Sequence, residues 1–139
     1  MKSKAKLLYR ALALIFASLF LFTACSGTSV VFTGLRVGSV SSQTDSSVYL
    51  SCIEFNGSAT YTIHVREEHQ RRLITELQVE EGTLSITVDD GVDGTSTAYF
   101  SMVFEQDDSF SIELPEYGRY RIVIQADAFH GSYSFSWAM

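Results

Sequence analysis

Lysine is confined to Lys2, Lys4 and Lys6, and the rest of this 139-residue chain has none. With Arg10 they give residues 1–24 a charge of +4, since that stretch holds no acidic residue. Residues 25–139 then carry six basic residues, all arginine (Arg36, Arg66, Arg71, Arg72, Arg119 and Arg121), against 16 acidic ones, a net charge of −10. So little positive charge excludes a nucleic-acid binder, which must displace counterions from phosphate. It also argues against docking on anionic lipid or anionic wall polymers. The longest apolar run, Ala11–Phe22, is 12 residues broken only by Ser18, too short for a comfortable membrane span. Signatures of catalysis are missing too: there is no Gly-x-Ser-x-Gly elbow, no His-Glu-x-x-His helix and no phosphate-binding loop. What is there, 46% hydrophobic and 13% aromatic residues, supplies a core, and the length suits one domain.

Met1–Arg10 is a basic region, Ala11–Phe22 an apolar one, and Phe22-Thr23-Ala24-Cys25 closes them with small residues before a cysteine. That order is a signal peptide, residues 1–24. Its end resembles the lipobox of bacterial lipoproteins, usually Leu-Ala/Ser-Gly/Ala-Cys, with Phe22 standing in the leucine position. The resemblance implies that Cys25 is joined to diacylglycerol and becomes the first residue of an extracytoplasmic, membrane-anchored lipoprotein. Its partner there is the lipid bilayer, because two or more acyl chains, at ~0.8 kcal/mol per buried CH₂, hold a protein where one does so only marginally. Ordinary secretion with Cys25 left as a thiol is the alternative. With Cys25 lipidated, Cys52 has no disulfide partner. It sits in the strand-like run Val48–Phe55 with no base or positive charge adjacent, as a small buried hydrophobe does.

Residues 25–47 read as the lipidated cysteine, a polar tether and an edge strand. Val30–Val40 is apolar enough to dock on the domain, which is the preferred reading, while Ser39–Ser47 is serine-rich and loop-like. Were Ser26–Ser47 all tether, its 22 residues would reach at most about 75 Å. From Val48 to the end, residues 48–139, the apolar period is two. Tyr61, Ile63 and Val65 form one row and Leu84, Ile86 and Val88 another. Ala98, Phe100, Met102 and Phe104 follow, then Phe110, Ile112 and Leu114, and Tyr120, Ile122, Ile124 and Ala126. Tyr133, Phe135 and Trp137 close the chain between Ser132, Ser134 and Ser136. Such alternation marks antiparallel strands with one wet face. Glu67–Val79 contains good helix formers, yet Leu73, Thr75, Leu77 and Val79 keep the alternation and predict a strand. Turn chemistry at Asn56-Gly57, Glu81-Gly82, Asp93-Gly94, Tyr117-Gly118 and His130-Gly131 places the boundaries. The expectation is an all-β protein: one antiparallel, jelly-roll-like β-sandwich of about eight strands.

Glu81–Val88, with its Gly-Thr-Leu, is followed by Leu114-Pro115-Glu116-Tyr117-Gly118-Arg119-Tyr120 and a terminal Gly131-Ser132-Tyr133. Together these are similar to the bacterial pre-peptidase C-terminal domain, over about two thirds of the chain beyond the signal. The resemblance implies a sandwich serving as a non-catalytic accessory or binding domain, sometimes with calcium. Such domains normally flank a peptidase, and this sequence encodes none.

The candidate sites are few. Asp89, Asp90 and Asp93 surround two glycines and offer the hard oxygens that calcium requires, although the same residues make a turn. His64 and His69 are five apart, an odd spacing that puts them on opposite faces of a strand and disfavours zinc. Arg71 and Arg72 read as surface ion-pair partners of Glu67, Glu68 or Glu76. Tyr133, Phe135 and Trp137 alternate with serines as core residues do. Tyr49, Tyr99 and Tyr117 lie off the apolar rows or in a turn, and are the candidates for an exposed, ligand-binding aromatic surface. The functional expectation is a non-catalytic module binding an envelope or extracellular component, glycan or protein. The alternatives are a structural or chaperone-like subunit docked on a membrane protein complex, and a small hydrolase with two converging carboxylates.

Overall fold

A computed structural model describes residues 29–91 and 97–137. The signal peptide, Cys25, the first tether residues 26–28, and Asp93 with its Asp93-Gly94 turn lie outside the described residues. Among the described residues are seven antiparallel strands and one 3-10 turn (Glu68–Arg71). The strands are β1 (Ser29–Val37), β2 (Val40–Gln43), β3 (Ser47–Val65), β4 (Arg72–Asp89), β5 (Ala98–Phe104), β6 (Asp108–Glu113) and β7 (Gly118–Ser136).

Three strands are long enough to serve twice. β3 and β7 have 19 residues each and β4 has 18, and each bends midway so that its two halves lie in different layers of a β-sandwich. The first layer runs β2–β3–β7–β4–β6, using Ser47–Cys52, Gly131–Ser136 and Arg72–Val79 of the long strands. The second runs β1–β3–β7–β4–β5, using Gly57–Val65, Gly118–Ala126 and Thr83–Asp89. Sequence turn chemistry at Asn56-Gly57, Glu81-Gly82 and His130-Gly131 therefore marks bends within strands, not hairpin turns. The pairing register slips between Cys52 and Gly57 on β3 and between Val79 and Thr83 on β4, as it does at β-bulges. A Cβ on Gly131 would overlap the Gln78 carbonyl oxygen, and Gly82, at φ 76°, has Ala128 backbone against it. Merging strands in this way gives seven among the described residues where the spacing predicts about eight. Tyr117-Gly118 does mark a boundary, at the start of β7.

Ahead of position 48 the expected docked strand is present, and the expected serine-rich loop is in part a strand. Val30–Val40 does dock, as β1 along β3 from Ser29 onward. The serine-rich segment after it is not all loop, because Val40–Gln43 is paired with Val48–Ser51 as β2. The sheets thus take in residues well before position 48. Leu73–Val79 is strand throughout, within β4.

The alternating rows point between the layers. Val48, Phe135, Thr75 and Phe110 form one registered inward row of the first layer; Tyr61, Ile122, Val88 and Phe100 form one of the second. Trp137, Tyr133, Phe135, Phe55 and Phe129 are fully buried, each such side chain contributing about 1.5–3 kcal/mol by leaving water. Phe110 of β6 stacks on Phe100 and Phe104 of β5, closing the sandwich along that edge. Cys52 is buried and free; burial pushes its thiol up, and Sγ donates to the Phe129 carbonyl at 3.9 Å.

Candidate functional site

Because paired residues of neighbouring strands share a face, the outer surface of the first layer can be read row by row. One row is Ser42 (β2), Tyr49 (β3), Ser134 (β7), Glu76 (β4) and Ser109 (β6). The adjoining row holds Val40, Ser51, Ser132 and Gln78. The central strand β7 thus presents only small hydroxyls, while larger side chains rise on both flanks. The result is a cavity of about 210 Å³ lined by Tyr49, Glu76, Gln78, Ser132, Ser134 and Tyr133. Its walls stand two strand spacings apart, about 10 Å between backbones.

The polar groups there are largely unspent. Ser132 Oγ donates to Gln78 Oε1 at 3.4 Å. The Tyr49 hydroxyl and the Glu76 carboxylate have no hydrogen-bond or ion-pair partner among the described residues. Tyr49 is 42% exposed, leaving ring area free for contact. Chemically, the groove offers an aromatic ring on one wall, hydroxyls on the floor, and a carboxylate and an amide on the other wall. A larger recess of about 560 Å³ lies at the β5–β6 turn, lined by Met102–Gln106 and Asp108. It is wide open, and one continuous stretch of chain supplies all its residues, so it has no opposing wall to hold a ligand.

The three sequence-chosen tyrosines are all exposed but sit in three different settings. Tyr117 donates to Glu68 Oε2 at 2.9 Å, which holds its phenol above the ordinary value. That bond, and next the Arg71 guanidinium, hold the Glu68 carboxyl below its own ordinary value. Tyr99 packs edge-on against Tyr120 at 5.6 Å between ring centres, and its phenol is raised by lost solvent first and by Tyr120, Asp90 and Glu116 after. Only Tyr49 joins a groove. Its partners Glu76, Gln78, Ser132 and Ser134 escape sequence reading, since the β3–β7–β4 order that assembles them is not local.

The acidic candidates are partly committed elsewhere. Asp89 is 5% exposed, and both its oxygens face Arg121: Oδ1 accepts from Nε at 3.1 Å and Oδ2 from Nη2 at 3.0 Å. Asp89 Oδ1 also accepts the Gly91 N–H at 2.8 Å. Asp90 is half-buried beside it. Among the described residues no group of three His, Cys, Asp or Glu side chains is placed to hold a metal ion. His64 and His69 are both exposed. Arg71 pairs with Glu68 at 3.1 Å as the sequence suggests, whereas Arg72 approaches Glu113 on β6 at 3.9 Å, a partner brought by strand pairing. Tyr133, Phe135 and Trp137 are core.

No protein-family model matches the sequence, and no curated protein matches it. Among solved structures the chain is similar to CBM4, at 10% identity and a TM-score of 0.44, over 84% of this chain and 88% of that one. It is similar to TmCBM61 in complex with β-1,4-galactotriose, at 17% identity and a TM-score of 0.42, over 78% and 82%. A family 29 carbohydrate-binding module complexed with mannohexaose follows at 13% identity and a TM-score of 0.39, over 78% and 86%. TM-scores this low describe a loose likeness of arrangement and say nothing of what this chain binds.

Proposed function

We propose that this chain is a lipid-anchored, non-catalytic β-sandwich module that binds a glycan of the cell envelope or its surroundings. The acyl chains on Cys25 hold it outside the cytoplasmic membrane, and the groove over β7 takes the sugar. The observation that carries the reading is the registered row Tyr49–Ser134–Glu76. A pyranose has one apolar face and a rim of hydroxyls, and this row meets both, with a ring to stack on and a carboxylate and hydroxyls to accept and donate. The groove holds one carboxylate and not the converging pair a glycosidase needs. The resemblance to the pre-peptidase C-terminal domain supports the same non-catalytic role.

The test is binding of the full-length protein, purified in detergent, to cell-wall material and a panel of neutral and amino-sugar oligosaccharides. Saturable binding is expected, weakened about tenfold in Tyr49→Ala, since ring stacking contributes ~1 kcal/mol or more. Binding indifferent to Tyr49→Ala, or no glycan bound at all, sinks the reading.

One observation favours a second reading, docking on a membrane protein complex. Leu35, Val37, Val40 and Ile53 are 58%, 44%, 66% and 62% exposed, and they lie along the β1–β2 edge. Ile53 packs where a side chain on Gly38 would go. Glu54, opposite Val37, interrupts that surface with charge. A docking subunit would co-purify with its complex and lose it in Leu35→Ser, with Tyr49→Ala harmless.

A further inference from the structure

We infer that the groove selects a glycan carrying free amino groups, a de-N-acetylated amino sugar, and that Glu76 is the side chain that reads its ammonium. This rests on the glycan reading above and names the sugar class. The charged residues in the registered rows of the groove face are three: Arg72 and Glu113, which face each other at 3.9 Å, and Glu76. Further along β4, Glu80 is engaged by His130 at 3.2 Å. The groove's one uncommitted charge is therefore negative, and it stands across Ser134 from an exposed aromatic ring.

A carboxylate facing an aromatic ring suits a cation, which gains an ion pair on one side and ring quadrupole attraction on the other. The same charge repels uronates and phosphorylated polymers, in keeping with the −10 charge of residues 25–139. An N-acetyl group replaces the ammonium by a neutral amide and forfeits both gains. The floor tells a sugar from a lysine side chain. Ser132 and Ser134 offer hydroxyls to ring hydroxyls, whereas a lysine stem has nothing to return to them. With walls about 10 Å apart, the cavity has room for about one sugar ring.

The experiment is calorimetric titration of the full-length protein in detergent with a glucosamine tetramer, its fully N-acetylated counterpart and an N-acetylated tetralysine amide of equal charge. The glucosamine tetramer is expected to bind about five- to tenfold tighter than the acetylated one, and Glu76→Gln to shrink that preference by weakening the glucosamine tetramer more than the acetylated one. Raised salt shrinks the preference in the same way. Equal binding of the two tetramers overturns the inference and leaves the glycan reading standing. So does a preference that Glu76→Gln leaves undiminished. Tetralysine binding as tightly as the glucosamine tetramer overturns it as well, because charge alone would then be read. If neither tetramer binds while a neutral oligosaccharide does so through Tyr49, the inference falls alone; if no sugar binds, both fall.

Discussion

The hydroxyl of Tyr61 lies 2.7 Å from the hydroxyl of Tyr133, and this one hydrogen bond ties the two layers together through the middle of the core. Tyr61 belongs to the second layer and Tyr133 to the first, and their rings meet edge-on at 6.2 Å. Both residues are buried, so neither phenol has water as a substitute partner. Tyr133→Phe strands the Tyr61 hydroxyl and should cost about 1–3 kcal/mol. Tyr61→Phe should cost a similar amount. The double variant should lose less than the sum of the two, because no orphan is left. Urea unfolding of the four proteins measures the coupling, and strict additivity would mean that the bond does not form.

The same pair fixes the alkaline limit. Burial first, and then the neighbouring phenol, push Tyr133 far above its ordinary value of about 10. Burial likewise raises Tyr61, against the lowering effect of its bond to Tyr133. Above about pH 10 the unfolded chain gives up these protons while the folded chain keeps them, so the unfolded state binds fewer protons and stability falls as pH rises. Below that pH the contribution is fully present. Tm is expected to hold from neutral pH to about 9 and then drop, with a shallower drop when both tyrosines are phenylalanine.

Glycine at the bends is required by close backbone approach. Gly131→Ala drives a methyl group into the Gln78 carbonyl where β4 and β7 cross the bend, and should cost 3 kcal/mol or more on an order-of-magnitude view. Gly118→Ala, at φ 139° with open space around it, meets backbone strain alone and should cost ~1 kcal/mol. Equal Tm losses in the two would mean that the bend is not tightly packed.

These bends show where sequence reading succeeds and where it stops. Period-two alternation identifies the core-facing rows because it is a local consequence of one buried face, and Tyr49 is recognisable as the residue out of step with Val48 and Leu50. Whether a glycine ends a strand or bends it depends on whether the partner strand continues, and Gly57, Gly82 and Gly131 look the same as hairpin glycines in sequence. The groove is invisible for the same reason. Ser132, Ser134 and Ser136 read as the wet face of a last strand, and nothing local says that Tyr49 and Glu76 flank them. Met102 shows the converse: its row faces inward, yet on the edge strand β5 it stays 53% exposed because little lies beyond it.

Thr75 sits fully buried on β4, and its Oγ1 has no hydrogen-bond partner among the described residues. Thr75→Val keeps the shape and removes the stranded hydroxyl. It should raise stability by ~1 kcal/mol, whereas Thr75→Ala should lower it by opening space. If Thr75→Val is destabilising in urea unfolding, the hydroxyl has a partner, such as a buried water.

Asp89 should matter to folding through Arg121 and not through calcium. Its side chain is 7% exposed and that of Arg121 27%, so the pair is screened on one side only. Asp89→Asn removes the buried charge that accepts from the Arg121 guanidinium and is expected to cost about 1–3 kcal/mol, the same in calcium as in chelator. A loss of Tm seen only when calcium is present would return Asp89 to a metal-binding role with its neighbours Asp90 and Asp93.

The anchor has a geometric consequence. β1 begins at Ser29, four residues after Cys25, so at most ~14 Å of chain separates a lipidated Cys25 from the sandwich. The body would then rest close against the bilayer, with the Val30 and Val31 end of β1 nearest. In Cys25→Ala the protein should leave the membrane fraction and lose the mass of its acyl chains, and the sandwich should be unchanged because its described strands begin at Ser29. A second variant with a long glycine-serine insert after Ser26 should stay membrane-bound and become much easier to cut between anchor and body, since a protease needs an exposed stretch of chain that the short tether does not provide. Membrane retention of Cys25→Ala at unchanged mass would remove the anchor, and with it the close approach of the sandwich to the membrane surface.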